Sequence, residues 1–467
     1  MDNLRKKIRF AFWFIKEYIT SHFSLIIIAF SVVFILILLL ATLQPFITKF
    51  ILGKEKKVGK IGAYSYKNPP PDVLKLISKP PFEINKKGEI IPILIEQWEM
   101  RDQGRRFRLF FKKNLIWNDG SEFRVDDIKD TLLKNAEVKK LDDYTLEITL
   151  QKPTIILPYY LTKPIYKYPL VGIGGRYSIV DAKVQKGLFK QIKISQKQGK
   201  DIIVFNYYDS ESQLINAFKA GKIDELESQN RTLIEELKNW NNVNIKTGIN
   251  YSSLPTLFFN LENDFLKEDK FREAIDLLIP WNDLKTYGEI SKGPIPPNSL
   301  FFNKRLKPKI TDEEKAIEII KNIVEEKKDS KQEIKIRTDY RLLFLAEYLS
   351  AKLQQNQINT SVEIVNNLNS LDFDMLLVFW NVPLDIDQYF FWHSTQSIEK
   401  NQELSKANIS RYKNLKVDKL LENSRSTLQF SEQIIALYKF QEEITRDRPA
   451  IFLYFPYIYL IQRKNIF

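Results

Sequence analysis

One stretch, Leu371 to Gln396 (LDFDMLLVFWNVPLDIDQYFFWHSTQ), constrains the fold more than any other. It opens with acidic residues and runs unbroken and apolar from Met375 to Trp380. It then breaks at Pro383 into a loop carrying Asp385, Asp387 and several aromatics. A short apolar run before a proline predicts a strand buried on both faces. The loop after such a strand is a common position for a ligand site in an open α/β sheet, so this loop is expected to form one wall of a binding cleft.

The chain has 467 residues, more than one core usually serves, and two lobes with an appendage are expected. Aromatics make up 13% of the chain; most are expected in cores, since large rings dominate buried area, and a minority in a pocket. The net charge of +13 reads as a basic soluble surface, or as attraction to an acidic envelope surface. No zinc spacing, RNA-binding aromatic signature or concentrated basic helix accompanies it, so no nucleic acid partner is expected. Cysteine is absent, which removes disulfides, thiolate metal sites, cysteine nucleophiles and a lipid-modified N-terminal cysteine together. The two histidines are His22 and His393. That excludes a histidine-rich metal site and leaves a Ser-His-Asp triad only those two imidazoles. No metal or cofactor is expected.

Leu25 to Leu43 (LIIIAFSVVFILILLLATL) carries no charge and shows no polar face. That length suits a helix spanning a bilayer core. The following Ala41-Thr42-Leu43-Gln44-Pro45 is a poor cleavage site, so a retained anchor is expected. Arg5, Lys6, Lys7, Arg9 and Lys16 precede the span; Lys49, Lys54, Lys56, Lys57 and Lys60 follow it. This balance leaves the orientation open. The expected organisation is a tail at 1–23, a transmembrane helix at 24–43 and a solvated Lys-rich linker at 44–60. A first lobe at 61–255, completed by about 446–467, and a second lobe at 256–445 follow.

Within the first lobe, Phe107–Phe111 and Tyr144–Leu150 read as strands, Asn118-Asp119-Gly120 as a turn and Val125–Leu133 as a short helix with Asp126 and Asp127 in its first turn. Gly172-Ile173-Gly174-Gly175 lacks the lysine of a phosphate loop and the third spaced glycine of a dinucleotide fingerprint, and reads as a tight turn feeding the strand Arg176–Val180. Ser210–Gly221 reads as a helix stopped by its glycine. The second lobe alternates. A capping box at Thr311 and Glu314 opens a helix, and Ile334–Arg337, Val362–Val365 and Met375–Trp380 read as strands around the helix Arg341–Gln355. This rhythm implies parallel βαβ units. Two amphipathic helices follow, Lys416–Arg425 and Glu432–Thr445. Ile451–Ile461 is expected to return to the first lobe.

Several segments resemble one family in a shared order. LIEQWE at 94–99 resembles its "LAESWE"; FRLFFKKNLIWNDGSEFRVDD at 107–127 resembles its hairpin and helix start; GIGGRY at 172–177 resembles "GTGPY"; AFKAGKID at 217–224 resembles "ALKAGEID". Phe271-Arg272-Glu273-Ala274 resembles "VRQA", residues 380–394 the tryptophan-led cleft loop, and the segment around Asp447-Arg448-Pro449 the family's C-terminal motif. From about residue 61 onward the chain resembles family 5 extracellular solute-binding proteins, the peptide- and nickel-binding class of ABC importers. The resemblance implies a type II periplasmic-binding-protein-like α/β fold, two hinged lobes closing on a ligand. It also implies an extracytoplasmic C-terminal domain on a single-pass anchor, an ABC permease as partner, a peptide or similar small solute as ligand, a monomer and no catalysis. The departures are the retained helix without a lipidation cysteine, a compressed segment before residue 94, and Pro383. Peptide binders of the family place an aspartate there to pair with the ligand's amino terminus.

The candidate ligand residues are Trp380, for stacking; Asp385 and Asp387, for pairing with an amine; and His393 and Tyr64 as further contacts. Competing readings are an envelope chaperone-like protein that holds extended segments and, less favoured, an envelope hydrolase using paired carboxylates.

Overall fold

The structure is a computed structural model. It describes residues 12–14, 16–17, 20–25, 28, 30–39, 55–85, 88–133, 136–151, 153–327, 333–365, 373–383, 386–397, 407–427 and 429–464. Two large sheets organise it. The five-stranded sheet runs Thr360–Ile364, Ile334–Thr338, Met375–Asn381, Ser253–Phe259, Ala450–Phe452. Met375–Asn381 lies parallel to Ile334–Thr338 and antiparallel to Ser253–Phe259. Its side chains alternate as strand geometry requires. Met375 and Leu377 enter a core with the helices Asp269–Leu278, Glu313–Glu326 and Leu343–Gln355. Leu376, Val378 and Trp380 enter the opposite core, covered by Leu415–Ser426 and Phe430–Asp447. The unbroken apolar run is this two-sided burial.

The eight-stranded sheet runs Val243–Ile249, Tyr454–Arg463, Glu225–Ser228, Glu55–Ile61, Ile202–Tyr208, Leu188–Gln196, Tyr177–Gln185, with Gly288–Ile290 against the start of Tyr454–Arg463. A separate antiparallel sheet, Ile95–Arg101, Arg106–Phe111, Thr145–Thr149, Glu137–Asp142, carries its own core around Phe107, Phe111, Trp117 and Phe123. Two short crossings join the large sheets, at residues 250–252 and at Leu453, and the chain also visits the eight-stranded sheet at Gly288–Ile290 between Ser253–Phe259 and Ile334–Thr338. Ile451–Ile461 is therefore two strands split at Leu453, the second returning to the eight-stranded sheet. The result is a two-lobed α/β architecture joined by two close crossings.

Several expectations need correction. Residues 55–60 are not solvated linker: Glu55–Ile61 is a central parallel strand between Ile202–Tyr208 and Glu225–Ser228. Its lysines disguised it. Lys56 meets Glu225 at 2.5 Å and Lys60 meets Glu227 at 2.6 Å, while Val58 is buried. The Val125–Leu133 helix is a 3₁₀ turn, Val125–Asp127, followed by the short helix Lys129–Leu132. Asp312, not Thr311, caps the next lobe's first long helix, accepting from Lys315 N at 3.1 Å. The Thr311 hydroxyl instead donates to Ile279 O at 2.6 Å. The glycines at 172 and 175 serve close backbone approach: a Cβ there would stand 2.2 and 2.1 Å from the backbone of Ile77.

Among the described residues no helix is long and apolar enough to cross a membrane. Residues 30–39 are helical, and their large apolar side chains are each at least 50% exposed. Residues 26, 27, 29 and 40–43 of the expected span, and 44–54 of the expected linker, lie outside the described residues.

Candidate functional site

The ladder of Met375–Asn381 is complete on one side only. Toward Ser253–Phe259 it pairs along its whole length. The even positions make those hydrogen bonds, as Val382 N donating to Ser252 O at 3.1 Å and Asn260 N to Asp374 O at 2.8 Å show. The odd positions face the other neighbour, Ile334–Thr338, whose pairing stops at Leu377. The last rung is Asp339 N donating to Leu377 O at 3.0 Å. There the chain turns away, because Asp339 caps the next helical turn through Arg341 N and holds the Arg341 guanidinium at 2.9 and 2.7 Å. The N–H and C=O groups of Phe379 and Asn381 on that edge consequently meet no partner among the described residues.

This open edge ends at a cavity of about 510 Å³ between the lobes. Val382, Pro383 and Ile386 line it from one lobe, Tyr159 and Gly88 from the other, and Tyr251 from the first crossing. Among the described residues its lining carries no charged side chain. Burial and a 2.7 Å hydrogen bond to Glu289 push the Tyr251 phenol up to about 12, so it stays a neutral donor. The loop predicted to wall a cleft does so, through aliphatic side chains and Pro383.

The singled-out side chains lie elsewhere. Trp380 packs in the second lobe's core, 4% exposed, against Phe258, Phe391, Trp392 and Phe452, and its Nε1 makes no hydrogen bond. Asp385 lies outside the described residues. Asp387 is buried, 3.5 Å from Arg425 Nε; burial pushes its carboxyl up and Arg425 opposes this. The Arg425 guanidinium is itself held 4.5 Å from the Tyr389 ring and 5.1 Å from the Phe390 ring. His393 is also buried. It stacks on Tyr389 at 4.2 Å, caps the turn Ser394–Gln396 and reaches Glu422 with Nε2 at 3.3 Å. Half-buried Tyr64 packs edge-on against Tyr207 at 5.3 Å. The structure thus brings Asp387, His393, Tyr389 and Arg425 together, and leaves Tyr64 and Trp380 apart from them. Sequence reasoning missed the backbone groups of Phe379 and Asn381, which no residue type announces. It also missed Tyr159 and Tyr251, which lie far away in the chain.

The sequence profile of the bacterial extracellular solute-binding proteins, family 5 middle region, matches residues 89–402. The chain belongs to this family. Family 5 solute-binding proteins bind their solute and are not enzymes, and their place is outside the cytoplasm. This family 5 chain is 22% identical to the oligopeptide-binding protein AppA of Bacillus subtilis (strain 168), over 89% of this chain and 88% of that one. Its fold matches the crystal structure of AppA with a nonapeptide at a TM-score of 0.65 and 20% identity, covering 88% of this chain and 94% of the other. It also matches NikZ from Campylobacter jejuni in complex with Ni(L-His), at a TM-score of 0.67 and 21% identity over 88% and 94%. At such identities the structural likeness speaks for the two-lobed fold.

Proposed function

We propose that this solute-binding protein captures peptides, or similar small solutes in extended form, in its interlobe cleft and passes them unchanged to an ABC importer permease. One observation carries the reading. The Phe379–Asn381 edge offers backbone donors and acceptors without a partner among the described residues, near a cavity of about 510 Å³ that Val382 and Pro383 line. A peptide laid along this edge adds a strand to the sheet, main-chain hydrogen bonds giving affinity and the cavity receiving side chains. The oligopeptide-binding relative supports this choice of solute. The two crossings between the lobes form the hinge, and a bound solute selects the closed arrangement. The protein works as a monomer, tethered by the span 25–43. The helical residues 30–39, apolar and exposed, support that anchor.

The test is calorimetric titration of the full-length chain with pooled tetrapeptides, the same peptides N-methylated on alternate backbone nitrogens, and Ni(L-His). Unmodified peptides are expected to bind and the methylated ones to bind about tenfold or more weakly, since each loses a main-chain donor. Equal binding of both pools, or a response to Ni(L-His) alone, contradicts the reading. Binding confined to unfolded chains points to the chaperone-like alternative.

A further inference from the structure

The eight-stranded sheet has two unlike ends. Glu55–Ile61 runs parallel to Ile202–Tyr208 and Glu225–Ser228, so these three strands start at one end. Tyr454–Arg463 finishes there and Val243–Ile249 starts there, with Gln462 opposite Glu225 and Arg463 opposite Val243. The connectors at this end, 197–201, 220–224 and 238–242, together with Arg463 and Lys464, carry six basic residues and two acidic ones. The connectors at the opposite end, 62–70, 186–187, 209–210, 229–230 and 250–252, carry two basic residues and one acidic. The positive charge is therefore concentrated at the end where the strand Glu55–Ile61 begins.

Most of these charges are not neutralised by the protein. Lys197, Lys222 and Lys464 are exposed and Arg463 is half-buried. Lys197 Nζ donates to Asn118 Oδ1 and Arg463 to the Phe218 carbonyl, both neutral acceptors. Among the described residues none of these four meets a carboxylate, whereas Lys238 pairs with Glu235 at 2.6 Å. The same end is where the chain arrives from its apolar span. Eleven residues, 44–54, separate Glu55 from the span 25–43, and fully extended they reach at most about 40 Å. The cavity lies toward the opposite end: Tyr251, which lines it, follows Val243–Ile249, whose seven residues rise about 20 Å.

We infer that this end of the first lobe is a membrane-contact surface that rests on anionic lipid headgroups. The inference rests on the reading of residues 25–43 as an anchor. A short tether keeps the surface at high local concentration beside the bilayer. Each lysine or arginine that reaches an anionic headgroup layer then raises occupancy about fivefold. Lysine ammonium groups on flexible stems suit headgroup phosphates, which they meet as point charges. Contact at this end keeps the cavity on the side away from the bilayer, open to arriving solute.

The chain has no cysteine, so one introduced cysteine labels one site. The test reconstitutes the full-length chain into vesicles of phosphatidylcholine alone and of phosphatidylcholine with about a third phosphatidylglycerol, each containing lipid spin-labelled at the headgroup. A fluorophore at Gln198→Cys, in the basic turn 197–201, is expected to be quenched about twofold or more strongly in the anionic vesicles. One at Gln185→Cys, at the opposite end, is expected to read the same in both. Raising the salt from about 0.05 M to about 0.5 M should abolish the difference. The combined variant Lys197→Gln, Lys222→Gln, Lys464→Gln should abolish it too, with peptide binding unchanged. Equal quenching at Gln198→Cys in both lipids, or a difference that survives the combined variant, overturns the contact surface and leaves the anchor standing. Shielding that follows the number of chains per vesicle instead of lipid charge assigns the face to a second copy and also overturns it. A full-length chain that fails to float with neutral vesicles overturns the anchor, and the inference with it.

Discussion

The inner half of the Met375–Asn381 strand and its outer half share one neighbour, Ser253–Phe259, and differ in the other. Met375–Leu377 also pairs with Ile334–Thr338 and is sealed by helices on both faces; Phe379–Asn381 has lost that second neighbour. The difference teaches how one continuous element serves two ends. Where the ladder is complete the strand holds the lobe together, and where it is open the same backbone is available to a guest. Substitutions in the two halves should accordingly separate stability from binding.

The largest effect is expected in the inner half. Leu377→Ala, at a fully buried position, should cost about 4 kcal/mol in urea unfolding, with peptide affinity retained by the molecules that remain folded. Asp387→Ala should cost about 3 kcal/mol by the same measurement, because it leaves the Arg425 guanidinium buried beside two rings without its carboxylate. A neutral outcome would release Asp387 from its structural role. In the outer half the pattern reverses. Asn381→Pro deletes an N–H that points to the open edge, which a strand margin tolerates, so stability should move by less than about 1 kcal/mol. Peptide affinity should fall about tenfold, whereas Asn381→Ala, which keeps the N–H, should bind normally.

The smallest effect concerns the inner face's covering helices. Glu273 is held between Lys315 at 2.9 Å and Lys270 at 3.0 Å, and these bonds, Lys315 first, lower its carboxyl to about 2. Its folded-state pKa lies below the unfolded value of 4.5. The group therefore contributes stability above about 4.5 that is lost as the pH falls toward 2. Glu273→Gln should lower the melting temperature at pH 7, by an amount corresponding to less than about 1 kcal/mol, and the gap to the wild type should close near pH 2. A gap unchanged across that range would show that the ion pairs are idle.

Much of the second lobe was legible because its residues repeat with the periods of helix and strand. The run Met375 to Trp380 in the second lobe, and Leu214, Ala217 and Phe218 on one helix face of the first, were read on that ground; all are buried except half-buried Phe379. Glu55–Ile61 was not legible: three of its seven residues are lysine, and Lys56 and Lys60 find their carboxylates at Glu225, Glu227 and Asp72, in other elements. Resemblance located the family; its tryptophan-led loop lines the cavity through Val382, Pro383 and Ile386, while other motif residues serve packing. Arg272 of the "VRQA"-like segment donates to the carbonyls of Asp447 and Arg448, closing the end of Phe430–Asp447. The tryptophan expected to stack on a ligand is core. The proposed site was hidden because main-chain groups would carry it, and the cavity's walls come from segments separated by up to hundreds of residues.

The most direct measurement is amide hydrogen exchange at Phe379 and Asn381 with and without a saturating tetrapeptide pool. The account predicts that both amides exchange freely in the unliganded protein and become protected on binding, while those of Met375–Leu377 are protected throughout. Saturable peptide binding that leaves Phe379 and Asn381 exchanging as before would contradict it.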